Sequence, residues 1–213
     1  FTPTKMGFSA IADALALGAR NMVMTAILLC AVGLVINVIA TAGIGNTFSL
    51  MINNWAGGSL IIAIVLVALA SLVLGMGLPV TAAYIVLATL SAPALYSLMA
   101  NTELAQALAA GNIGDDIKAI VMLANPEALA SLGQMTLEQA NALIASMPQE
   151  TLSLLQPMMI DEQTLTMTLL AAHMIIFWLS QDSNVTPPVC LCSFTAAAIA
   201  KTPPMATGFT SWM

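Results

Sequence analysis

No charged side chain occurs between Arg20 and Glu103, and none between Glu162 and Asp182. Stretches this apolar cannot build a water-facing surface, because a helix hydrophobic on all sides is buried in a large core or in lipid. With 213 residues, 60% of them hydrophobic and 7% charged against about 25% in soluble domains, lipid is the solvent implied. Backbone groups in lipid must be satisfied within the segment, so the expected fold is an all-α polytopic membrane protein with broken or re-entrant helices. The acids behind the net charge of −6 cluster in one segment and form no nucleic-acid-binding face. Cys30, Cys190 and Cys192 lack zinc or redox spacing and read as small buried hydrophobes. The chain opens on Phe1 with no basic-apolar-small leader, which reads as an internal cut and predicts a fragment of a longer protein.

Three regions follow from composition. Residues 1–100 are expected to hold transmembrane segments. A polar lead-in, 1–21, carries Lys5, Asp13 and Arg20. The first span is 21–41, NMVMTAILLCAVGLVINVIAT, close to the roughly 20 residues needed to cross the hydrocarbon core. Lys5 and Arg20 flank it on the side that the positive-inside rule assigns to the cytoplasm. Gly43, Gly45 and Asn46 break the pattern, and 48–55 reads as interfacial with Trp55 at the headgroups. Residues 101–162 hold nine of the chain's 14 charged residues and read as small helices outside the bilayer. There Thr136 and Gln139 have capping-box spacing, and Pro126 and Pro148 suit the starts of two further helices. Residues 163–213 read as a transmembrane helix followed by a re-entrant segment, since 189–200 is short for a span.

Two interruptions of similar character fall in apolar sequence, GMGLP at 75–79 and QDSNVTPP at 181–188. Paired broken segments mark the binding site of secondary transporters, where unwound carbonyls suit a hard cation and half-helix N-termini suit a carboxylate. On local sequence alone an ordinary tight turn between two spans is the favoured explanation of the glycines and proline at 75–79, and 58–98 is either two full spans or a hairpin with its tip at GMGLP. Ser183, Asn184, Thr186 and Thr81 add uncharged side-chain oxygens. Asp182 is an ion ligand or proton carrier if it lies at membrane depth, and a helix cap if it lies at the surface; the cap is favoured. His173, the sole histidine, reads as a packed ring bonded to a carbonyl rather than a proton relay.

At these motifs the chain resembles a known family. LGMGLPVTAAYIVLATLSAPAL (74–95) and HMIIFWLSQDSNVTPPVCLCSFTAAAIAKTPPMATGF (173–209) resemble the two signatures of the large membrane subunit (DctM-like) of TRAP transporters, in the fused-permease branch served by TAXI-type binding proteins. The stretch from ALALGARNMVMTAILL onward is similar in style, so the resemblance covers about 150 residues of the chain and points to its C-terminal half. It implies one half of an inverted-repeat fold in the bacterial inner membrane, with a mobile transport domain moving against a scaffold. It also implies sodium-coupled uptake of a small organic solute, expected to be a carboxylate, delivered by an extracytoplasmic TAXI-type solute-binding protein. Sodium is the coupling ion expected and no other cofactor is. Carried onto this chain, Gly75, Gly77 and Thr81 belong to one break and Ser183, Asn184, Thr186 and Pro187 to the other, as ion and substrate ligands; the two glycines act through backbone oxygens.

The segment between the signatures is several tens of residues longer than the resemblance predicts, and the other inverted repeat and the small-subunit region are not in this sequence. The remainder of the fused permease is therefore an expected partner, along with lipid. A channel or structural membrane subunit is the alternative, though a channel calls for a polar stripe along several helices rather than two local breaks. An intramembrane enzyme fits less well, because one histidine, one aspartate beside a break and no HExxH supply no catalytic constellation.

Overall fold

Long apolar runs with few breakers become long helices, since every N–H and C=O then finds its partner within the segment. The computed structural model describes residues 7–111, 113–127, 132–187 and 190–213, without the side chains of Asn21, Met24, Thr25 and Leu28. Lys5, Pro188 and Val189, which the sequence reading placed at a topological flank, in the second break and at the start of the last apolar run, lie outside the described residues. Those described form helices and turns and no strand. By length and composition two helical stretches suffice to cross a membrane, Val80–Ala109 and Glu162–Asn184, with a third if Leu29–Thr41 and Ile44–Ala56 count as one broken span.

The chain divides at Gly43 into two units. The first is one helix, α1 (Phe8–Thr41). The charged lead-in up to Arg20 is continuous with the apolar run, so helix begins well before the span expected at 21–41. Large apolar side chains such as Leu15, Ile27 and Leu34 are exposed along it, as a lipid-facing helix requires.

The second unit begins with α2 (Ile44–Ala56), in which Gly45 and Asn46 are helical and do not break the chain; the break lies at Ala42 and Gly43. Its amphipathic face buries Ser49, Ile52 and Ala56 and leaves Trp55 exposed. That face meets α4 (Val80–Ala109), which follows α3 (Leu60–Gly75). Pro93 in α4 offers no N–H to the Thr89 carbonyl four residues back. α2 docks at this spot: the Ser49 hydroxyl donates to the Leu90 carbonyl at 3.1 Å, and Gly45 approaches so closely that a Cβ there would sit 3.2 Å from the Thr89 oxygen.

The polar segment contains α5 (Asp115–Ala124), α6 (Leu137–Ser146) and α7 (Gln149–Met159). Thr136 and Gln139 form the capping box that starts α6, with Oγ1 accepting from the Gln139 N–H at 3.3 Å and Oε1 from the Thr136 N–H at 2.9 Å. Pro148 is the N-cap of α7, and Pro126 begins a 3-10 segment of which the described residues include only Pro126 and Glu127. Asp161 caps α8 (Glu162–Ser180) by accepting from the Thr164 N–H and hydroxyl, both at 2.8 Å, and these bonds hold its carboxyl below the usual 3.8. A 3-10 turn, Gln181–Asn184, then α9 (Leu191–Ala200) and α10 (Pro204–Trp212) complete the chain. The 10 residues of α9 span about 15 Å, half the hydrocarbon thickness.

α4 threads two separate cores. Its first two-thirds packs Leu87, Ala94 and Leu95 against Ala63 and Val67 of α3 and Ala172 and Ile176 of α8. Its last third sends Leu104, Ala105 and Leu108 into a second core with Val121, Leu143 and Leu155. Two side-chain amides fasten α7 to it, Gln149 to the Ser97 hydroxyl and Gln156 to Asn101 Oδ1, each at 3.1 Å. Truncating the fully buried Leu155 to Ala should cost about 2–5 kcal/mol. Hydrogen exchange on the full-length protein should show opening in α5–α7 raised at least about tenfold, with amides of α3 and of α8 beyond Ala172 unchanged. Acceleration spreading equally into α3 would mean a single cooperative core.

Candidate functional site

The two interruptions are built by different means and meet. At the first, α3 closes with Leu74 O accepting from both Gly77 N–H (3.1 Å) and Leu78 N–H (3.0 Å). Pro79 has no N–H, so the Gly75 carbonyl receives nothing from the residue four positions on, and Pro79 instead becomes the N-cap of α4. α3 and α4 therefore form a hairpin whose tip is 76–79. Gly77 and Thr81 are exposed at this tip, and space beside Gly77 is open.

At the second, the Asp182 carbonyl accepts three hydrogen bonds, from Val185 N–H (3.1 Å), Thr186 N–H (2.9 Å) and the Thr186 hydroxyl (2.6 Å). Asn184 donates to Gln181 Oε1 at 3.1 Å, and half-buried Pro187 lies beside Gly208 of α10. The Asp182 carboxylate does not cap a helix as the sequence favoured; this residue holds the turn through its main chain.

α3 and α8 run side by side in parallel, in a register offset by 108 residues. The Ser71 hydroxyl donates to the Leu179 carbonyl at 2.8 Å, and one turn later Gly75 lies against Ser183. A Cβ on Gly75 would sit 3.2 Å from Ser183 Cβ and 3.3 Å from its Cα, so glycine is what lets the two breaks touch. Gly75 and Ser183, predicted from separate motifs, are thus brought together, with Thr186 buried close by in sequence; Gly77, Thr81, Asn184 and Pro187 are more open.

The hydroxyls at this contact share one chemistry. Ser183 donates to the Ser180 carbonyl at 3.0 Å, Ser180 to Phe177 at 2.7 Å, Ser71 to Leu179 and Thr186 to Asp182. Each proton is committed to the main chain, so each oxygen is left with lone pairs to offer.

A feature missed in the sequence lies below the hairpin tip. His173 does not bond a carbonyl; its Nδ1 faces the Tyr84 hydroxyl at 3.2 Å, joining α8 to α4. Tyr84 also meets Phe177 edge to face, ring centroids 5.9 Å apart. The pair stands in an open cleft of about 550 Å³ between the two helices, lined by Tyr84, Thr89, Pro93 and Tyr96 from α4 and by Leu169 and His173 from α8. The spacing 81, 84, 88, 92 and 96 was the available signal, since it is one helical face.

A family model described as "Tripartite ATP-independent periplasmic transporter, DctM component" matches residues 1–212. No curated protein and no solved structure matches the chain.

The close approach at Gly75 makes a directional prediction. Gly75→Leu forces Ser183 aside at a cost of about 1–3 kcal/mol and lowers the thermal unfolding midpoint of the purified full-length protein. Gly77→Ala, with open space around it, leaves that midpoint unchanged. Equal midpoints for the two variants would mean the breaks do not touch.

Proposed function

The chain belongs to the DctM component family of tripartite ATP-independent periplasmic transporters, and from that premise we propose that it carries the ion and substrate site of a sodium-coupled uptake system for a small organic carboxylate. The family makes it a component of an inner-membrane transporter rather than an enzyme, working in general with a solute-binding protein and a small subunit. In the proposed system the binding protein is of the TAXI type, and the small-subunit region belongs to the same fused permease. Residues 101–162 form a cap outside the bilayer.

The observation that carries this reading is the packing of Gly75 on Ser183, which puts two interruptions 108 residues apart at one point. Sodium is a hard cation that takes oxygen ligands. In the proposed site it draws on the backbone oxygens of Gly75 and Gly77 and on the proton-committed hydroxyls of Ser183 and Thr186. Thr81, Asn184 and Pro187 line the open side, where the N-terminus of α4 offers partial positive charge to a carboxylate. Binding of ion and solute across one contact between α3 and α8 couples them, because each orders the surface the other needs.

Full-length permease reconstituted with its binding protein should take up a carboxylate only under an inward sodium gradient. Thr186→Ala, which deletes one proposed ligand, should raise the sodium concentration for half-maximal uptake by on the order of tenfold, the equivalent of about 1.4 kcal/mol. Gly77→Leu should abolish uptake by filling the open side of the tip. Uptake indifferent to sodium, or undiminished in both variants, would reject the mechanism.

A further inference from the structure

We infer that the cleft between α4 and α8 is a binding pocket for the apolar body of a monocarboxylate, with the Tyr84–His173 pair as its polar end. The inference rests on the transport reading above and narrows its substrate class.

Three observations carry it. The first is continuity with the breaks. On α4, Thr81 at the exposed hairpin tip heads the same helical face as Tyr84, Ala88, Ala92 and Tyr96. On α8, Leu169, His173 and Phe177 recur every four residues and lead toward Ser180 and the second break. A molecule held at the breaks therefore has the cleft directly below it, along about 18 Å of α4 from Tyr84 to Tyr96.

The second is the chemistry of the polar end. His173 Nδ1 faces the Tyr84 hydroxyl at 3.2 Å. With the hydroxyl donating to Nδ1, the ring proton sits on Nε2 and becomes a further donor, beside the N-terminus of α4, for the one carboxylate held at the breaks. The rest of the lining is uncharged: Ile85, Ala88, Ala92, Pro93 and Leu169 are apolar, the Thr89 hydroxyl is committed to the Ile85 carbonyl at 2.8 Å, and the Tyr96 phenol is the one further polar group. A second carboxylate farther along the cleft, toward Leu169 and Tyr96, would be desolvated without a cation to pair with, so the pocket selects against dicarboxylates. The third is size. About 550 Å³ lies within the range of small-molecule sites and fits an aryl or medium alkyl body.

The test uses purified full-length permease, thermal stability as the readout, and phenylpyruvate, 2-oxoglutarate and sodium as probes. Phenylpyruvate should raise the unfolding midpoint in a saturable way, and 2-oxoglutarate should not. Thr89→Leu, which fills the cleft, and Tyr84→Phe, which removes the hydroxyl, should each weaken the apparent phenylpyruvate affinity at least tenfold. Both should keep the stabilisation by sodium, which also reports that the variants are folded. Phenylpyruvate without effect, or acting equally on the unsubstituted protein and both variants, overturns the inference; lipid or another part of the permease then fills the cleft. Sodium stabilisation without a phenylpyruvate effect would sink this inference and leave the sodium-site reading standing. A phenylpyruvate effect lost in both variants, with no response to sodium in any protein, would do the reverse.

Discussion

The hydrogen bond from the Ser71 hydroxyl to the Leu179 carbonyl, followed one turn later by the contact of Gly75 with Ser183, fixes how α3 and α8 lie against each other. In lipid there is no water to accept a freed carbonyl or hydroxyl, so an interrupted helix is stable only where another segment meets its polar groups. Here each interruption bonds within its own turn, through the carbonyls of Leu74 and Asp182, and the Ser71 hydroxyl adds the bond that ties α3 to α8 one turn before the breaks. A bulky side chain at Gly75 would press directly on Ser183 and open this close approach. The remaining packing of the second unit is consistent with this single register. α4 returns antiparallel from the hairpin tip, and Tyr84 finds His173 and Phe177 on α8.

α4 also ties the apolar frame to the acidic segment. Its first part is covered by α2, α3 and α8, and its last part by α6 and α7, with α5 packed on α7 in the same core. Two buried or half-buried amide contacts, at Ser97 and Asn101, sit where one core gives way to the other. Local opening of the acidic segment can then occur without disturbing the breaks, since the two share a helix but few side chains. The Pro93 position adds a place where α4 lacks one internal hydrogen bond and α2 supplies support instead.

Much of this was readable from residue patterns. The charge-free stretches gave the helical membrane class, the GMGLP and QDSNVTPP strings gave the break positions, and the Thr136 and Gln139 spacing gave a helix start to the residue. These are local signals: propensity, capping and composition act over a turn or two. The contacts that join distant segments were not readable in the same way. Nothing in the local pattern pairs Gly75 with Ser183 rather than with another small residue, and nothing announces that Tyr84, not a carbonyl, partners His173. Gly45 and Asn46 were read as breakers because their propensity is poor, yet the close seat of α2 on α4 keeps them helical. Asp182 was misread as a cap because a carboxylate near a helix end resembles one, whereas the main-chain carbonyl holds the turn.

Contact between the two breaks can be measured directly with a cysteine pair. Gly75→Cys and Ser183→Cys would be introduced together into the full-length permease, with Cys30 and Cys192 replaced by serine, and oxidised in native membranes. The ideal Cβ position at Gly75 lies 3.2 Å from Ser183 Cβ, near the separation of about 3.5–4.5 Å that a disulfide spans. Touching breaks should give rapid, near-complete cross-linking of the pair and none when either cysteine is present alone. Two thiols that both remain free to alkylation after oxidation would place the breaks apart and remove the basis for a shared site.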